Sequence, residues 1–308
     1  MDPIATPGPA LAGLYIPLVT PFTDSGDLAP DALEALAHAV LDDGAAGLVA
    51  LGTTGEPATL TAAERRLVLD ICARVCRERS ATLIAGAGSN DTRASAAALG
   101  ELAGWPEIRA ALVAVPYYTR PGPDGVVAHF TSLAATSPVP LVVYHIPYRT
   151  GQALDARTLL RLTEVPRIAG IKLAAGGIDE ETVILMAHAP ESFAVLAGDD
   201  AFASPLLALG VAGAILASAH LRTADFAELV AAWRAGHATT ARALGHRLLP
   251  LSAALFAEPN PTVIKAALHA QGRIPTAAVR LPLLPAGPET TAAALRAADL
   301  CTPATYPA

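Results

Sequence analysis

Hydrophobic and polar positions fall in repeating blocks along this chain. Short, nearly continuous apolar runs recur at 13–22, 47–52, 81–86, 110–115, 141–146, 168–173, 193–197 and 213–218. Runs of this length with no polar face fit parallel strands covered on both sides. Between them lie stretches with apolar residues every three or four positions, which predict helices over 31–42, 61–77, 91–103, 123–135, 155–163, 179–187 and 202–209. Thr61, with Glu64 three residues on, forms a capping-box signature, and Asp91 or Thr92 can cap the next helix. Three further helical stretches follow at 238–255, 261–271 and 288–298. Eight β–α repeats in about 220 residues predict a (β/α)8 TIM barrel with a C-terminal helical extension. The division expected is 1–236 for the barrel with its catalytic site and 237–308 for the C-terminal helical region. A doubly wound open sheet is the rival, but no Gly-x-Gly-x-x-Gly opens a helix after the first strand, and Gly86-Ala87-Gly88 is only a fragment of one.

Composition narrows the function classes. At 53% hydrophobic and 16% charged, the 308 residues can bury a large core. A net charge of −7 argues against nucleic acid or an anionic membrane as the main partner. No apolar run reaches the ~20 residues of a membrane helix. The first nine residues have no basic stretch leading into an apolar core, so they read as a leader rather than a signal peptide, and the expected compartment is cytoplasmic. Three cysteines are too few for a disulfide scaffold, and Cys72 and Cys76, four apart on a helix, read as buried thiols rather than a ligand pair.

The chemistry is concentrated in one stretch, Gly170-Ile171-Lys172-Leu173. Only two of the 21 basic residues are lysine, Lys172 and Lys265. A lysine inside an apolar run of so arginine-rich a chain asks for something a guanidinium cannot do. A neutral amine condenses with a carbonyl, and an always-protonated guanidinium does not. The alternative is a lysine stem snorkelling to water. In a TIM barrel the catalytic groups stand at the C-terminal strand ends. Those ends carry Thr53-Thr54-Gly55-Glu56, Pro116-Tyr117-Tyr118, Tyr144-His145, Lys172, Gly198-Asp199-Asp200 and Ser218-Ala219-His220. Four of the six tyrosines, Tyr117, Tyr118, Tyr144 and Tyr148, cluster there. Strand alternation puts Ile168, Gly170 and Ala174 on the same face as Lys172, with Tyr144 on the neighbouring strand as a proton-transfer partner. An apolar enclosure disfavours a charged amine and so favours the nucleophile. The Thr53-Thr54-Gly55 turn suits a small carboxylate, and Arg149 can clamp a second one. Asp199, Asp200, His145 and His220 have no recognisable metal-ligand spacing, so no metal is expected, and Asp200 reads as a helix cap.

These motifs, taken together and in order, resemble the pyruvate-dependent class I aldolases typified by dihydrodipicolinate synthase and N-acetylneuraminate lyase. The match runs from Pro17-Leu18-Val19-Thr20-Pro21-Phe22 to Arg280-Leu281-Pro282 and includes Glu258-Pro259-Asn260-Pro261. The resemblance implies a pyruvate Schiff base on Lys172, a carboxylate seat at Thr53 and Thr54, and a relay of Tyr144, Thr54 and Tyr118, with Tyr118 reaching in from a neighbouring subunit. It implies backbone contacts at Gly198 and Ile215, Arg149 on the carboxylate of an aldehyde partner, no cofactor, and a homodimer or homotetramer. Within it, the Arg149 and Asn260 motifs lean toward the synthases, which condense pyruvate with aspartate semialdehyde. Another 2-oxo acid or sugar-acid aldolase or dehydratase, or a non-catalytic keto-acid-binding regulator, are the alternatives. His145 stands where the synthases usually carry Asn, Tyr148 where a small residue is often found, and Leu173 where Glu is usual, so a reshaping of the pocket wall or of the layer behind it, and with it a different aldehyde, is expected. Ala62 and Arg65 occupy the region where lysine-inhibited synthases place histidines, which implies insensitivity to lysine.

Overall fold

The computed structural model describes residues 11–301, so the expected leader lies outside the described residues. Eight parallel strands close into a barrel in sequence order: β1 Gly13–Pro17, β2 Gly47–Ala50, β3 Thr82–Gly86, β4 Ile108–Ala114, β5 Leu141–His145, β6 Ile168–Leu173, β7 Ala194–Ala197 and β8 Gly213–Ile215. β8 returns to β1 through the pairing of Ile215 with Tyr15. The (β/α)8 barrel is as expected, and its shape follows from right-handed crossovers that place a helix outside each strand pair.

Two apolar layers result. Inside the barrel, Tyr15, Val49, Ile84, Leu112, Leu196 and Ile215 fill the bore. Outside it, the other faces of the strands pack on the helices in a much larger cluster. Leu244, Leu251, Val263 and Ile264 of the C-terminal helices belong to that same outer cluster. The core therefore runs on without a break past residue 236.

The local signals hold where they are strongest. Thr61 accepts from Glu64 N while the Glu64 carboxylate takes Thr61 N, completing the capping box of helix Ala62–Arg79. Asp91 caps helix Thr92–Glu101. Cys72 and Cys76 are buried, and burial pushes both thiols well up, Cys76 to about 12. Two elements go beyond the predicted set. Helix Thr223–Arg234 completes the eighth β–α unit, burying Phe226, Leu229 and Val230 at the i, i+3, i+4 spacing the sequence carries. A single helical turn, Pro147–Thr150, follows β5 directly. Ile168 does not face the bore but joins the outer cluster. The register slips there, pairing Leu141 with Ile168 but Val142 with Gly170, so Ala169 is an extra residue that breaks the alternation.

Candidate active site

Lys172 stands on β6 at the C-terminal end of the bore, directly across from Tyr144 on β5 and Leu196 on β7. It is only 6% exposed, and its Nζ lies 4.4 Å from the centre of the Tyr144 ring. Among the described residues the amine makes no hydrogen bond or ion pair; it lies over the π face of that ring, within electrostatic reach of the Asp199 and Asp200 carboxylates. Gly198, where β7 ends, explains how the stem fits. A Cβ on Gly198 would come within 2.7 Å of Lys172 Cγ and 2.9 Å of Cε. Glycine is needed there for space rather than for its backbone angles. The bond from Gly198 N to Leu173 O, 2.7 Å, keeps the two strand ends together.

The threonine turn forms the opposite wall. Thr53–Gly55 makes one short helical turn after β2, and Glu56 closes it in the left-handed region at φ 54°. Thr54 is buried and its hydroxyl accepts from Asn260 Nδ2 at 3.0 Å. Thr53 lines, with Tyr144, Tyr117, Arg65, Arg66 and Trp105, a cavity of about 690 Å³. Thr53 rather than Thr54 therefore shares a cavity wall with Tyr144.

The second lysine anchors this turn. Lys265 is fully buried and donates to Glu56 Oε1 at 2.8 Å, while Arg280 N donates to Glu56 Oε2 at 3.0 Å. Lys265 Nζ and the Arg280 guanidinium carbon lie 4.0 and 4.4 Å from the centre of the Phe22 ring. Burial pulls the Lys265 amine down to about 8, against the Glu56 charge, which acts the other way. Spacing does not predict this pair, since 209 positions separate its members.

The other rim residues divide into struts and free groups. Asp200 caps no helix. Its carboxylate accepts from Ser218 N, joining the ends of β7 and β8, and burial raises it to about 6. Asp199 accepts from Gly176 N at 2.6 Å, joining the β6 and β7 loops. His220 accepts from Val19 N and has its Nδ1 on Ala217 O, so it is a neutral imidazole bracing β8 against the β1 loop, held down to about 4 by burial. Ile215 is fully buried in the bore. Arg149 is exposed on the Pro147–Thr150 turn, with its guanidinium carbon 5.8 Å from the Tyr148 ring centre. Tyr118, with φ 67°, is 88% exposed. Among the described residues no cluster of His, Cys, Asp and Glu could hold a metal ion, and no helix is long and apolar enough to cross a membrane.

The model of the dihydrodipicolinate synthetase family matches residues 10–298. The chain belongs to this family. A 4-hydroxy-tetrahydrodipicolinate synthase of Moorella thermoacetica is 40% identical over 292 residues, covering 92% of this chain and 97% of that one. The structure of the 4-hydroxy-tetrahydrodipicolinate synthase of Methylacidiphilum fumariolicum matches with a TM-score of 0.89 at 32% identity, over 94% of this chain and 96% of that one. The dihydrodipicolinate synthase of Acinetobacter baumannii, solved with pyruvate, matches at 0.89 and 33% identity, over 94% and 98%. Leu173 lies in the outer cluster, and His145 pairs with it on the neighbouring strand, one residue after the inward-facing Tyr144. Both stand behind the bore, so any reshaping by them acts from the layer behind the pocket wall. Tyr148, 86% exposed, is the departure that stands at the mouth beside Arg149.

Proposed function

We propose that this chain is a 4-hydroxy-tetrahydrodipicolinate synthase, a lyase that condenses pyruvate with aspartate semialdehyde through a Schiff base on Lys172. The carrying observation is the buried, unpaired Lys172 amine lying over Tyr144 in a bore with no room to spare at Gly198. The amine attacks the keto carbon, water leaves, and the resulting iminium draws electrons from the adjacent methyl group. Loss of a methyl proton gives an enamine whose carbon attacks the aldehyde. Tyr144, a hydroxyl of the Thr53-Thr54 turn, and Tyr118 of a second copy form the proton relay. The same turn seats the pyruvate carboxylate, with Gly198 and Ile215 as backbone walls. Arg149, at the mouth with no ion pair among the described residues, takes the carboxylate of the aldehyde. The working form is a cytoplasmic homodimer or homotetramer; the 88% exposure of Tyr118 supports its serving a neighbouring site.

The test is borohydride reduction in the presence of pyruvate, with the adduct mapped by mass spectrometry. The adduct belongs on Lys172 and nowhere else. Its absence, or unimpaired turnover by Lys172→Arg, would sink the reading. Tyr148 at the mouth favours one second reading, an aldolase of the same chemistry acting on a different aldehyde. A kcat/KM for an uncharged or sugar-derived aldehyde above that for aspartate semialdehyde would select it.

A further inference from the structure

The C-terminal segment reaches the threonine turn through one side chain. Asn260 Nδ2 donates to Thr54 Oγ1 at 3.0 Å, across 206 positions of sequence. That is the side chain's single hydrogen bond among the described residues, since Asn260 Oδ1 is buried without a partner. A threonine hydroxyl has one proton to give and two lone pairs to receive with. Asn260 occupies a lone pair, and the described residues offer the Thr54 proton no acceptor. The proton is therefore left for whatever enters the site. Asn260 is held firmly enough to do this. It lies two residues before helix Thr262–Ala270, whose Lys265 is bound to Glu56 of the same turn. Thr20 fixes the carbonyl of Gly55 at 2.8 Å, so the turn is braced from both sides.

The geometry points to Asn260 as a positioning residue that sets the polarity of the Thr54 hydroxyl, so that Thr54 donates to the carboxylate of the bound keto acid. The inference rests on the reading of the Thr53-Thr54 turn as the carboxylate seat. A carboxylate only accepts. A hydroxyl turned the other way would present a lone pair to an anion in a buried site, where such a mismatch is costly.

The experiment compares Asn260→Asp and Asn260→Ala in the intact protein. The rate of borohydride inactivation is followed against pyruvate concentration, with thermal melting alongside. Asp keeps the shape but turns the donor into an acceptor, so Thr54 spends its proton on residue 260. Ala removes the bond and leaves the hydroxyl free to turn. Half-saturating pyruvate should rise about tenfold or more for Asn260→Asp, the scale of one lost hydrogen bond to a charged group, and only a few-fold for Asn260→Ala. A purely structural role would rank the two the other way, since Asp fills the space and Ala does not.

A bystander effect of the new negative charge is separated in a Thr54→Val background. There the Asn260→Asp effect should vanish, because the hydroxyl it acts through is gone. Unchanged half-saturation in Asn260→Asp, or an effect that survives in full in the Thr54→Val background, overturns the inference. If Asn260→Asp does not fold, the smaller rise in Asn260→Ala must likewise disappear in Thr54→Val, and its persistence overturns it too. An unmodified protein that pyruvate and borohydride do not trap instead defeats the keto-acid reading of the site, and this inference with it.

Discussion

At the scale of single residues, the reactive amine is placed by what is missing beside it. The Lys172 stem occupies the space that any side chain at position 198 would need. Gly198→Ala should therefore push the lysine aside. We expect the rate of pyruvate trapping to fall by about 10²-fold, the cost of a misplaced reacting group, with a much smaller effect on melting. Trapping kinetics beside a thermal melt checks this, and unimpaired trapping would mean that the stem has another path. Lys172 was legible in the sequence because it is one of two lysines in an arginine-rich chain. Its packing against Gly198 was not, because a glycine after a strand reads first as a turn.

At the scale of elements, strands and their following turns carry charges that only burial explains. Glu56 and Lys265 form an ion pair with almost no exposure on either side. Glu56→Gln leaves Lys265 buried without its counter-charge and should cost about 3–5 kcal/mol, read from chemical unfolding. A loss below ~1 kcal/mol would mean the pair is more solvated than its burial says. His145 sits behind β6, and burial holds its imidazole down to about 4, below its ordinary value of 6.5. The unfolded chain therefore binds a proton that the folded one refuses between those values. The contribution is intact above pH 6.5 and is lost as pH falls toward 4. His145→Asn should flatten the decline of melting temperature across that window, and an unchanged slope would place the acid sensitivity elsewhere. The bulge at Ala169 belongs to this scale as well. Strict alternation puts Ile168 in the bore, and the extra residue sends it outward while leaving Gly170, Lys172 and Ala174 inward.

At the scale of the whole molecule, the proposed proton relay draws on more than one barrel. Tyr118 is 88% exposed on its own chain. If it serves a neighbour, Lys172→Arg and Tyr118→Phe should each be impaired alone. Mixed oligomers, assembled after joint dissociation, should recover activity, since one site in the mixture then has both groups intact. No recovery on mixing would return Tyr118 to its own chain or remove it from the reaction. The helices beyond residue 236 are equally part of the working unit. They extend the barrel's outer core, and their segment delivers Asn260, Lys265 and Arg280 to the threonine turn. Regulation is tested at this level too. With Ala62 and Arg65 at the wall after the turn, turnover should be indifferent to millimolar L-lysine in a coupled assay, and inhibition would contradict that.

The sequence by itself pointed to the barrel, because eight apolar runs too continuous for one-sided strands fit a parallel sheet covered by helices, and no Gly-rich phosphate loop supports the open, doubly wound alternative. It also determined the candidate nucleophile, because a scarce lysine in such a run leaves little else to explain. What the tertiary structure decided are relations that no local pattern encodes. They are the glycine that makes room for the lysine, the outward turn of His145 and Leu173, and the joining of Asn260 to Thr54 and Lys265 to Glu56. Each depends on which residues meet after roughly 30 to 200 intervening positions have folded, and hydrophobic periodicity reports only which face of an element is buried, not what lies against it.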